Sequence, residues 1–253
     1  MAASIDTDIC IIGAGSAGLS VAAGAVQMGA RVVLIEKGEM GGDCLNYGCV
    51  PSKALLAAAK HAHAMTAGAP FGVAPARAEV DFVAAMDHVH SVIAAIEPND
   101  SQDRFEKLGV TVIREPARFV GPADIEAGAT RIHARRVVVA TGSSPVVPPI
   151  DGLNTTPYFT NETIFANRER PDHLVIVGGG PIGMEMAQAH ARLGSAVTVL
   201  ERSTVLPKDD PELRDVVKAS LTSDGVVLRE GVEVSSAAKT ERGIAVIVDT
   251  HAG

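Results

Sequence analysis

Cys44 and Cys49 are the residues in this sequence best placed to do chemistry. They lie in the run GEMGGDCLNYGCVPSKALLAAAKHAHAM, with four residues between them, in a glycine-flanked loop. Pro51 suits the first turn of a helix, and the alanines and leucines of residues 54–59 are good helix formers, so a helix is expected to begin at or just after Cys49. A thiol at a helix N-terminus meets the positive end of the dipole, which stabilises a thiolate. Lys53 lies one helical turn further on and adds positive charge. Thiol–disulfide redox chemistry is the reading these features support. A zinc site would need more ligands at suitable spacing, but His61 and His63, or His88 and His90, diverge on their helices, so no metal is expected. A structural disulfide is a poor alternative, since so short a loop constrains the unfolded chain little. Cys10 falls inside an apolar run and is expected to pack as a small hydrophobe.

The elements that must position this loop appear twice. The segment DICIIGAGSAGLSVAAGAVQMGARVVLIEK (8–37) is echoed 165 positions later by HLVIVGGGPIGMEMAQAHARLGSAVTVLER (173–202). Gly13, Gly15 and Gly18 correspond to Gly178, Gly180 and Gly183; Gly29 corresponds to Gly194, and Glu36 to Glu201. Each copy reads as strand, tight turn, helix, strand, with β-rich runs at 9–12, 32–35, 174–177 and 197–200. In such a unit the first glycine permits the turn, the second lets the backbone approach a pyrophosphate, and the third packs helix on strand. Helix-start N–H groups then face the phosphates; the candidates are Ser16 in the first copy and, in the second, Ile182 after Pro181, which itself has no N–H to offer. Glu36, followed by Lys37, and Glu201 stand where a carboxylate accepts hydrogen bonds from ribose hydroxyls. Glu201 also repels a 2′-phosphate and so favours NAD over NADP, although the adjacent Arg202 weakens that choice.

The rest of the chain limits the alternatives. With 253 residues, 47% apolar, the chain is long enough for two domains, and a soluble α/β protein is expected. No Trp, six Phe and two Tyr make a base-stacking surface a poor reading, and a net charge of −8 without a Lys/Arg cluster argues against nucleic acid. The N-terminal residues show no basic region before a cleavable apolar core, and no apolar stretch is long enough for a bilayer; no membrane association and a cytoplasmic location are expected. Residues 81–108 read as mostly helical, with Pro98 interrupting or ending the first half. Strands are expected at 110–113, 117–120, 131–133 and 137–140, and an interdomain crossing in the Pro- and Gly-rich residues 145–154. Asp210 and Pro211 form a start signal for a helix over 212–223, and strand-like runs follow at 232–235 and 244–248.

The run GGDCLNYGCVPSKALL resembles the FAD-dependent pyridine nucleotide–disulfide oxidoreductases, which include dihydrolipoamide dehydrogenase, glutathione reductase and mercuric reductase. VVVATGSSP (137–145), PYFTNETIF (157–165) and GGGPIGMEMAQAHARLG (178–194) extend the resemblance over nearly the whole chain. It implies two Rossmann-like dinucleotide-binding domains: residues 1–150 for FAD, with the cysteine loop, and 151–253 for NAD(P), cut short, with a C-terminal dimerisation domain absent. It implies that Cys49 lies against the flavin, that Cys44 exchanges with substrate, and that Lys53 lies near the flavin, ion-paired to Glu185. Gly42, Ala140, Thr141 and Gly142 would approach FAD, and the backbone of Ala117 its adenine. Asp43 stands where many members have Thr and brings negative charge toward the expected pyrophosphate; Pro181 stands at a position that is often Tyr.

The function implied is electron transfer from NADH through FAD to the Cys44–Cys49 pair and on to a small-molecule or protein-bound dithiol/disulfide, most like dihydrolipoamide dehydrogenase. The alternatives are a mercuric-ion reductase and a non-catalytic dinucleotide-binding or redox-sensing module. Family members continue well beyond this point, into a segment that holds the dimer surface of a homodimer and a His–Glu proton-transfer pair. The 253 residues alone are therefore expected to be a poor enzyme.

Overall fold

A computed structural model describes residues 3–250. In chain order it contains β1 (Ala3–Ile12), α1 (Ser16–Gln27), β2 (Val32–Ile35), α2 (Gly42–Asn46), α3 (Cys49–Thr66), α4 (Phe82–Asp100), α5 (Gln102–Lys107), β3 (Thr111–Ile113), β4 (Ala117–Phe119), β5 (Asp124–Ala127) and β6 (Thr130–Val139). There follow α6 (Asn161–Ile164), β7 (His173–Val177), α7 (Pro181–Arg192), β8 (Ala196–Glu201), α8 (Pro211–Ser223), β9 (Val227–Glu230), β10 (Val232–Thr240) and β11 (Gly243–Thr250). These form two compact units, the first made of residues up to 51 with 90–144, the second of 52–89 with 145 onward.

The first unit is built on a six-stranded sheet in the order β3-β2-β1-β6-β5-β4. The pairs β1–β2, β2–β3 and β1–β6 are parallel; β4 and β5 join as antiparallel strands. All four residues of β2 are buried, as a parallel strand covered on both faces requires. The alternation divides them: Val32 and Leu34 join Ile11, Leu19, Ala22 and Phe105 in one core cluster, while Val33 and Ile35 join Cys10, Ile125 and Ile132 in another.

The second unit carries the parallel sheet β7-β8-β9 and the antiparallel hairpin β10–β11. Met184 and Ala187 of α7 and Leu221 of α8 pack with Val197 and Val199 of β8. Asp210 caps α8 as its sequence implies, accepting a hydrogen bond from the Glu212 N–H at 2.9 Å.

Three departures from the sequence expectations have physical causes. β6 is one strand of ten residues rather than two short ones. Its polar middle, Ala134-Arg135-Arg136, breaks the apolar pattern, yet β1 pairs along it from Ala3↔Thr130 to Ile12↔Val139. Backbone pairing does not need apolar side chains, and Arg135 turns out to pair with Asp8 at 3.6 Å. β5, unrecognised in the sequence, alternates buried Ile125 and Ala127 with half-buried acids. The cysteine loop is also more regular than expected, since α2 occupies its middle. The expected domain division at residue 150 differs from the compact units: the break falls at 144–145, and residues 52–89 group with the second unit. Polar and ring contacts inside that unit tie them there, including Lys53–Glu185, His63–Asp224, Arg168–Asp87 and Phe82–His190.

Candidate functional site

The two glycine turns have nearly the same backbone. Gly13 has φ 108° and Gly178 has φ 109°, both in the left-handed region where a side chain is strained. A Cβ on Gly18 would stand 1.8 Å from the Gly13 carbonyl oxygen, and one on Gly183 2.4 Å from that of Gly178, so each third glycine is fixed by helix-on-strand packing. The middle glycines behave differently. A Cβ on Gly15 would meet only the Gly42 Cα at 3.8 Å, and one on Gly180 would meet nothing within 4 Å. Both are extended N-cap residues whose helices begin at Ser16 and Pro181. A helix start with open space at its cap suits a pyrophosphate, so these residues fit the dinucleotides that the sequence implies.

The acids repeat as faithfully. Glu36 accepts the Ala14 N–H and the Gly38 N–H, each at 2.6 Å. Glu201 accepts the Gly179 N–H at 2.7 Å and the Ser203 N–H at 2.8 Å, with the Ser203 hydroxyl at 3.0 Å. Burial alone would raise the Glu201 carboxyl, but the donors on Ser203 and Gly179 outweigh it and hold it below the usual carboxylate range. Arg202 is drawn toward Glu233, at 3.7 Å. Gly38, Ser203 and Arg114, whose guanidinium donates to the Gly38 carbonyl, were not singled out in the sequence; shifting residues 36–38 by 165 would have paired the first two. The echo in fact continues further than its sequence shows. The Gly41 N–H donates to the Ala14 carbonyl at 2.9 Å, and the Leu206 N–H to the Gly179 carbonyl at 2.8 Å.

That last bond in the first copy fastens the cysteine loop to the glycine turn. Gly41 forms a parallel bridge with Gly15, and a Cβ on Gly42 would stand 2.7 Å from the Gly15 Cα. That contact leaves no room for a side chain at Gly42, while the Gly15 side of it stays open. Two residues later comes Cys44 in α2, half-buried; Cys49 is exposed and is the first residue of α3. The pair is unbonded, and Cys44 is hydrogen-bonded to Cys49. Burial, together with Cys49 and the charge of Asp100, pushes the Cys44 thiol up to about 11. Burial alone does the same for Cys10, which is fully enclosed and packs as expected.

The other sequence candidates divide between the units. Ala140, Thr141 and Gly142 leave the end of β6 beside the first glycine turn: the Ala140 N–H bonds to the Ile12 carbonyl at 2.8 Å, and a Cβ on Gly13 would lie 2.1 Å from the Ala140 oxygen. Lys37 is exposed directly after Glu36, and Asp43 is exposed in the first turn of α2. Ala117 is the first residue of β4, packed against the cluster around Cys10 and Ile35. Lys53 and Glu185 belong to the second unit, where their side chains meet at 2.7 Å. Pro181 and Ile182 are exposed at the start of α7. Among the described residues no group of three or more His, Cys, Asp or Glu side chains is placed to hold a metal, and no helix is long and apolar enough to cross a membrane.

A family model described as pyridine nucleotide-disulphide oxidoreductase matches residues 7–252. The chain belongs to this family. It is 35% identical over 225 residues to a mercuric reductase of Lysinibacillus sphaericus, covering 88% of this chain and 41% of that protein. It is 34% identical over 243 residues to a mercuric reductase of Streptomyces lividans, covering 94% and 51%. Among solved structures, the HOCl-induced flavoprotein disulfide reductase RclA from Escherichia coli superposes with a TM-score of 0.80 at 30% identity, covering 97% of this chain and 56% of that one. The chain thus spans about half, or less, of the length of these relatives. The names of the two mercuric reductases favour the metal-ion alternative over the expected likeness to dihydrolipoamide dehydrogenase.

Proposed function

We propose that this chain forms the dinucleotide-binding and dithiol-bearing part of an NADH-dependent flavoprotein reductase whose redox-active pair is Cys44 and Cys49. One observation carries the reading: the cysteine loop is hydrogen-bonded to the first glycine turn through Gly41 and Ala14, so the pair is built onto the dinucleotide cradle itself. Gly13, Gly15, Gly18 and Glu36 hold the ADP half of FAD, and Gly178, Gly180, Gly183 and Glu201 hold NADH. When bound, the flavin supplies the relay that accepts hydride from nicotinamide and returns the electron pair to the disulfide. The protein's part is to fix distances and hold charge. Glu201, kept ionised by its backbone donors, disfavours a 2′-phosphate, and Arg202, engaged by Glu233, is drawn away from one. Lys53, four residues after Cys49 in the sequence, is paired with Glu185.

For the acceptor, a metal ion is favoured over lipoamide, on the strength of the likeness to mercuric reductases. A disulfide acceptor is the second reading, supported by the likeness to RclA. Anaerobic NADH oxidation by the full-length protein, with Hg(II) and with lipoamide offered separately, tests the choice. Turnover with Hg(II) at least tenfold faster is the expected result; faster turnover with lipoamide would reverse the assignment.

A further inference from the structure

We propose that Asp43 makes the Cys44–Cys49 pair selective by charge, favouring cationic reaction partners and disfavouring anionic ones. The inference rests on the reading of that pair as the redox centre and adds to it the class of partner. Asp43 directly precedes Cys44 and is exposed. Its carboxylate does not extend away from the pair: Oδ2 lies 2.9 Å from the point a Cβ on Gly48 would occupy, and Gly48 is joined to Cys49. The Asp43 carbonyl is 3.0 Å from the same point and accepts the Tyr47 N–H at 2.8 Å. The turn from 43 to 48 therefore closes on itself, with the carboxylate resting against the residue before Cys49. Any side chain at position 48 would displace it. One negative charge is thereby held at the residues that precede the two cysteines, adjacent in sequence to Cys44 and in space to Gly48.

The surrounding charges act in the same sense. Glu39 is held to the hydroxyl of Tyr47, in the same turn, at 2.9 Å. The charge of Asp100 reaches Cys44. Lys53, the cation nearest in sequence after Cys49, has its ammonium paired with Glu185 at 2.7 Å. No three of the His, Cys, Asp and Glu side chains among the described residues are arranged as a metal cage, so Asp43 acts through its field and not as a preformed ligand. An exposed carboxylate in the same turn as a reacting thiolate changes encounter rates about two- to fivefold per unit of partner charge, and less as salt screens it.

The test uses Cys44→Ser protein, in which Cys49 is the accessible thiol because Cys10 is fully enclosed. Its rates of reaction are measured with two methanethiosulfonates, one carrying trimethylammonium and one carrying sulfonate. Their ratio cancels any change in thiolate fraction or in access common to both reagents. Adding Asp43→Asn is expected to lower the cation-to-anion ratio about tenfold, two charge units separating the reagents. Asp43→Glu should restore most of the ratio, and molar salt should bring the parent ratio toward that of Asp43→Asn. A ratio unchanged by Asp43→Asn at low salt would overturn the inference, even if NADH still releases the two thiols. If NADH releases no thiols but the ratio does shift, the redox reading fails and the charge selection stands.

Discussion

The glycines in these turns do different work, and the differences are measurable. Gly18 is packed so closely that a Cβ would penetrate the Gly13 carbonyl, whereas Gly24, on the exposed side of α1, has nothing within 4 Å. Gly18→Ala is expected to destabilise the protein by about 2 kcal/mol or more through overpacking. Gly24→Ala should stabilise it by about 0.5–1 kcal/mol, because helix interiors disfavour glycine. Urea denaturation of both variants checks the pair. The Lys53–Glu185 bridge makes a complementary case. Its side chains are 62% and 33% exposed, so it contributes little to stability. Lys53→Ala should leave the urea midpoint nearly unchanged, within about 0.5 kcal/mol, while slowing NADH-dependent thiol release by about tenfold or more. At this scale the sequence was highly legible. The glycine and glutamate positions were read from one repeat; left-handed backbone admits few residue types at Gly13 and Gly178, and close packing leaves no room for a Cβ at Gly18 and Gly183. The Gly48–Asp43 contact was not legible, since nothing in the spacing reveals which way an aspartate turns.

At the scale of elements, the repeated β-turn-α-β units were legible from their apolar runs, while β5, α2 and the full length of β6 were not. Arg135 and Arg136 hid β6 because the ladder with β1 is made by backbone groups that hydropathy does not report. The loop after β8 depends on a contact 26 residues away that no local pattern encodes. Glu230 at the end of β9 accepts the Thr204 hydroxyl at 2.6 Å, the Val205 N–H at 2.8 Å and the Lys218 ammonium at 2.6 Å. Burial opposes ionisation, but these donors outweigh it and bring the carboxyl down to about 2 from 4.5. A depressed carboxylate stabilises the fold above its unfolded value and loses that contribution as pH falls through its folded value. The contribution of Glu230 is thus complete above pH 4.5 and disappears toward pH 2. Glu230→Gln is expected to lower stability by about 2 kcal/mol at pH 7 and to flatten its decline between pH 4.5 and 2. Urea midpoints of both proteins across that range measure it.

At the scale of the whole molecule, two units share one backbone plan as far as Gly41 and Leu206 and then diverge. The first copy continues into the cysteine pair; the second runs through Lys208 and Asp209 to the capped start of α8. On the proposed reading, duplication supplies two dinucleotide cradles, and the divergence supplies chemistry to only one. On the same reading coenzyme choice is a property of Glu201: Glu201→Ala should raise the NADPH-to-NADH ratio of kcat/KM about tenfold in the full-length protein. The central claim is that electrons from a nicotinamide reach the Cys44–Cys49 pair. It is tested most directly by adding one equivalent of NADH, without oxygen, to the oxidised, FAD-loaded full-length protein and counting new thiols. The account predicts two thiols per chain, lost in both Cys44→Ser and Cys49→Ser. A reduced flavin with no new thiols, or an undiminished yield in either variant, would contradict it.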